Sequence, residues 1–108
     1  TSTTLTVDAG DTCVIAGLEL YLNITHTYRG DLNITLTSPG GVSVLVLASS
    51  FDGTADYIGL VPSEITPDNP LTPFTGQALA GTWTMELEDT FFGDTGTLHS
   101  WALIPTCQ

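Results

Sequence analysis

Twelve carboxylates set against a single cation, Arg29, define the chemistry open to this chain. Two stretches bring the carboxylates together around glycine: Asp52-Gly-Thr-Ala-Asp56 and Asp89-Thr-Phe-Phe-Gly-Asp94. Hard divalent cations bind several oxygens drawn from carboxylates and loop carbonyls, and acidic turns containing glycine supply both. Asp31 joins the second stretch if its strand runs beside it. Calcium in a structural role is therefore the expected cofactor, with Asp52, Asp56, Asp89, Asp94 and Asp31 as candidate ligands. Neither stretch has the spacing of an EF-hand, and the alternative is that these side chains cap the amides of ordinary turns.

Covalent and acid–base catalysis have little to draw on. There is no lysine, no Gly-x-Ser-x-Gly elbow and no His-x-x-x-His pair. His26 keeps phase with buried leucines and reads as a core histidine, while His99 belongs to a different stretch. Two carboxylates can serve a glycosidase as acid and base, but such a site needs converging groups that the spacing does not supply. The chain is read as non-catalytic.

A formal charge of −11 excludes partners rich in phosphate, so neither nucleic acid nor an anionic membrane surface is expected. No apolar run reaches membrane-spanning length, and no charged, then apolar, start marks a signal peptide. With 108 residues the chain has room for one domain, expected to be monomeric. It begins at Thr1, as a processed fragment or excised domain would. Cys13 and Cys107 bracket nearly the whole chain, which favours a disulfide and a secreted or extracellular protein over two buried thiols.

The elements that must position these groups are strands. Thr3 to Val7 forms a short first strand. From Leu18 to Tyr28, the residues Leu18, Leu20, Leu22, Ile24 and His26 alternate with Glu19, Tyr21, Asn23, Thr25 and Thr27. Leu32, Ile34 and Leu36 repeat the pattern, and Pro39-Gly40-Gly41 ends it in a hairpin turn. Val42 to Ala48 is mostly apolar and reads as a strand covered on both faces. Prolines at 62, 67, 70 and 73 rule out long elements between Ser49 and Ala80. Trp83, Met85 and Leu87 then point inward from a strand that ends at Asp89, and a last strand follows the acidic stretch. Short alternating strands without helical periodicity mean a β-sandwich or barrel.

Several of these segments, in this order, resemble the P domain, or Homo B domain, which follows the catalytic domain in kexin- and furin-like proprotein convertases and in many secreted bacterial proteases. The resemblance rests on Thr27-Tyr-Arg-Gly-Asp-Leu32, on Thr-Ser-Pro-Gly at positions 37 to 40, on Gly81-Thr-Trp-Thr-Met-Glu-Leu-Glu-Asp89, on Gly-Asp-Thr-Gly at 93 to 96 and on Ser100-Trp-Ala-Leu103. It spans roughly Ala16 to Leu103. It implies a jelly-roll-like sandwich of about eight mostly antiparallel strands. It also implies a non-catalytic accessory domain on the C-terminal side of a larger secreted protease, most often a subtilisin-like serine protease and in some bacteria a metalloprotease. Such a domain supports folding, stability and calcium dependence of the catalytic domain, its partner in the same chain.

Arg29-Gly30-Asp31 spells an integrin-binding tripeptide, but the only cation among so many carboxylates is better read as half of a structural ion pair, Arg29 with Asp31. The resemblance agrees, since the family has this tripeptide within its fold. Docking on the catalytic domain is assigned to Phe91 and Phe92, because two adjacent aromatics in a short turn cannot both point inward. Ile58 and Leu60 form the second patch. The alternative function is a free-standing carbohydrate-binding or adhesion module. Trp83 keeps phase with core positions, and Trp101 belongs to the Ser-Trp-Ala-Leu that matches the family's closing strand, which disfavours both as sugar platforms. Asn23-Ile-Thr25 and Asn33-Ile-Thr35 are glycosylation sequons on outward faces.

Overall fold

The computed structural model describes residues 2–26, 29–50, 55–90 and 96–108. Among them are seven strands: β1 (Ser2–Val7), β2 (Ile15–His26), β3 (Leu32–Thr37), β4 (Ser43–Leu47), β5 (Tyr57–Val61), β6 (Gly81–Asp89) and β7 (Gly96–Cys107). The strands form a four-stranded sheet in the order β1-β6-β3-β4 and a three-stranded sheet in the order β5-β2-β7, with antiparallel pairing throughout. Single 3-10 turns occupy Arg29–Asp31 and Thr72–Phe74.

The period of two decides which side chains fill the space between the sheets. β2 buries Leu18, Leu20, Leu22, Ile24 and His26 and turns the intervening residues outward. β3 contributes Leu32, Ile34 and Leu36, and β6 contributes Trp83 and Met85, with Leu87 packed at the margin. Phe74, on the second 3-10 turn, is fully buried and meets Trp83 edge to face at 5.2 Å. The Trp83 indole N–H donates to the Leu79 carbonyl at 2.8 Å, so the largest side chain of the core has its polar atom satisfied. Cys13 and Cys107 are joined in a disulfide with Cα atoms 5.3 Å apart, just where β2 and β7 pair at Ile15 and Cys107.

Two features depart from the sequence reading, and a third adds to it. β5 lies inside the stretch expected to be irregular; its inward positions are Tyr57, Gly59 and Val61, and the central glycine with Pro62 just after hides the alternation. β4 is an edge strand covered on one face, and Leu45 stands on the other side. The strands on either side of the acidic stretch after Asp89 do not pair with each other. β6 belongs to the larger sheet and β7 to the smaller, so that connection crosses between layers.

Candidate functional site

His26 ends β2, Asp31 ends the first 3-10 turn, and Asp89 ends β6. Pairing of Leu32 with Asp89 sets the start of β3 beside the end of β6, which brings Asp31 to Asp89. His26 approaches from the opposite sheet because it occupies the last inward position of β2. One ligand atom from each of the three side chains lies within 4.8 Å of the others. His26 Nε2 and Asp89 Oδ2 are 2.7 Å apart. His26 and Asp31 are buried, whereas Asp89 is exposed.

Neighbouring backbone holds the group in place. The Asp31 carbonyl accepts hydrogen bonds from the Thr90 amide at 2.8 Å and the Thr90 hydroxyl at 2.9 Å. Asp56, at φ 67°, exchanges contacts with the end of β2: its Oδ1 accepts from the His26 amide at 2.9 Å, and its own amide donates to the His26 carbonyl at 3.1 Å. Gly96 leaves room for the His26 ring. A Cβ there would lie 2.7 Å from the Thr25 carbonyl oxygen and closer still to the imidazole. A cleft of about 400 Å³ opens beside the group, with Leu32, Glu86, Glu88 and Leu98 among the residues on its walls.

The structure thus brings Asp31 and Asp89 together and sets Asp56 against the backbone of His26. Asp52 and Asp94 lie outside the described residues, as do Phe91 and Phe92. His26 was not foreseen as a member of the group, because its phase with the leucines of β2 marks it only as buried. Its neighbours come from distant strands, and only the sheet order reveals them.

The Asp31 and Asp89 carboxylates are oxygen donors of the kind calcium takes; the His26 imidazole is not. One imidazole with two carboxylates also suits a borderline metal such as zinc.

Arg29 stands over the Tyr57 ring, 4.9 Å from its centroid, and donates to the Asp56 carbonyl at 3.2 Å. Gly30 and Asp31 are buried, so the Arg-Gly-Asp tripeptide is not displayed for a receptor. Trp83 is buried, which removes it as an open sugar platform, and Trp101 packs partly against the core. Of the two sequons, the Asn33 amide is engaged on both sides: it donates to Glu88 at 3.1 Å and accepts from the Ser49 amide at 2.7 Å.

A family model described as the proprotein convertase P-domain matches residues 15–105. The chain is 36% identical over 89 residues to a transglutaminase-activating metalloprotease of Streptomyces mobaraensis, covering 82% of this chain and 10% of that protein. It is 35% identical over 98 residues to a calcium-dependent protease of a Nostoc species, covering 89% of this chain and 15% of that protein. The fold is similar to part of a crystal structure of a serine protease of Aeromonas sobria, with a TM-score of 0.64 at 21% identity, covering 94% of this chain and 22% of the other.

Proposed function

Because the chain belongs to the proprotein convertase P-domain family, we propose that it serves as the non-catalytic accessory domain of a secreted protease, of the subtilisin-like serine class. The observation that carries this reading is the share of each relative that the chain spans. It matches nearly end to end, yet covers only 10% of one protease and 15% of another. One of these is named a metalloprotease and the other a calcium-dependent protease. A module shared by proteases so differently named is expected to act through packing and stability, with the reactive groups elsewhere. The disulfide supports an extracellular setting.

The domain's contribution is to hold the catalytic domain in its active shape. The turn carrying Arg29 and Asp31 is structural in this reading. Calcium binding is part of the same proposal, with Asp31 and Asp89 as its oxygen donors and Asp52, Asp56 and Asp94 as further candidates. It is supported by the two carboxylates that meet in the His26 group and by the Nostoc relative's name. Docking is proposed through apolar side chains, Ile58 and Leu60 and also Phe91 and Phe92.

The test is to express the parent protease with and without this domain and compare thermal inactivation. The intact chain is expected to survive longer. Equal half-lives for the two forms would remove the accessory reading. Phe91→Ser with Phe92→Ser, in the intact chain, separates a contribution of those rings from that of the sheet.

A further inference from the structure

The two outward sheet faces differ in chemistry. On the four-stranded sheet the register lines up Thr4, Thr84, Thr37 and Ser43 in one row across all strands, with Glu86 and Glu88 alongside. This is a surface made for water. The three-stranded sheet is different. Tyr21 sits at its middle and pairs with Leu60 of β5 on one side and Ala102 of β7 on the other. Ile58 and Ile104 extend the row diagonally, each two residues along the same face. They are 54% and 45% exposed, the most open of the large aliphatic side chains among the described residues. Asn23, Ser100 and Glu19 border the band.

A band of five apolar positions with a polar border has the composition of an interface core and rim. Its charge content points the same way. In a chain of net charge −11, two carboxylates among the described residues border this band: Glu19, and Glu64, whose Oε1 accepts from the Leu60 amide at 2.9 Å.

We propose that the outward face of the three-stranded sheet, centred on Tyr21, is the surface on which the catalytic domain of the same polypeptide seats. The proposal rests on the accessory reading above and specifies its contact surface. The occupant follows from size and charge. The chain spans only 10% and 15% of two protease relatives, so a much larger body is covalently at hand. A second copy would bring another eleven negative charges toward the first. The partner surface is apolar at its centre and neutral to basic at its edge.

Hydroxyl-radical footprinting of the full-length protease tests this directly, with Leu45 as an internal reference. Leu45 is 37% exposed on the opposite, hydroxyl-lined side, so Ile58 and Ile104 would be oxidised at least as strongly if all three were open to solvent. The expected result is that Ile58 and Ile104 are oxidised several-fold less than Leu45, and that Ile58→Glu with Ile104→Glu raises labelling of Tyr21. Equal or stronger oxidation of the two isoleucines overturns the proposal. So does protection that fades on dilution, which would identify a second copy as the occupant. The footprint is independent of the inactivation comparison: a protected face in a protease whose half-life ignores the domain would leave the seat standing and remove only the stabilising role.

Discussion

His26 Nε2 lies 2.7 Å from Asp89 Oδ2, and the contact ties the last residue of β2 in one sheet to the last residue of β6 in the other. Few polar contacts join the layers of a sandwich, whose interior is otherwise apolar. Asp89→Ala removes this bond to a buried imidazole and is expected to cost about 1–3 kcal/mol. Asp89→Asn, which keeps an oxygen able to accept, should lose less. Urea unfolding of both variants checks the order; equal midpoints for wild type and alanine variant would make the contact incidental.

Gly96→Ala should be harmful although it adds only a methyl group. The new Cβ meets the Thr25 carbonyl and the His26 ring at once, so either β7 or the imidazole must move. Overpacking of this kind costs about 1–3 kcal/mol. The variant is also expected to weaken the His26–Asp89 contact, visible as a shifted imidazole resonance in NMR. An unchanged spectrum would show that the backbone yields instead.

Ile34→Ala empties a fully buried site between β4 and β6 and is expected to cost roughly 2–4 kcal/mol. Thr35→Ala, one residue on and facing outward, should stay within about half a kcal/mol. Asn33→Ala should fall between them, because its amide bridges Ser49 and Glu88. Denaturant midpoints for the three variants give the ranking.

Replacing Cys13 and Cys107 together by serine opens a loop with a sequence separation of 94. The chain-entropy model puts the loss at about 4–5 kcal/mol. Calorimetric melting of the variant against the oxidised protein measures it, and alkylation without reductant should leave the wild-type mass unchanged.

Calcium should raise the melting temperature relative to chelator, by an amount that grows with its concentration above the dissociation constant. Asp31→Asn should abolish most of that rise. A rise with zinc but not calcium would instead assign the group by its imidazole. Superimposed curves in all three conditions would mean that the carboxylates serve only the fold.

β2 and β3 were legible because their inward residues are nearly all leucine or isoleucine at strict alternation. β5 was not, since Gly59 takes an inward place at φ 145° where Glu64 crowds any side chain. Leu45 misled in the opposite sense: a run of aliphatic residues looks the same whether one face or two are covered, and only the edge position of β4 decides it. For the site, Asp31 and Asp89 could be named from composition. Their meeting depended on the pairing of β3 with β6, and the arrival of His26 on how the two sheets face each other. Neither relation leaves a local trace in sequence.

The disulfide also decides how the domain bears mechanical load. Tension entering ahead of Cys13 and leaving beyond Cys107 runs through the sulfur bridge and bypasses the layers enclosed by it. The stretch before Cys13 lies outside the bridged loop and can be drawn out, by unzipping β1 from the edge of β6. From the start of β1 to Cys13 that is about a dozen residues, or about 40 Å of chain at full extension. Pulled by its neighbours, the domain would lengthen by one strand and then hold.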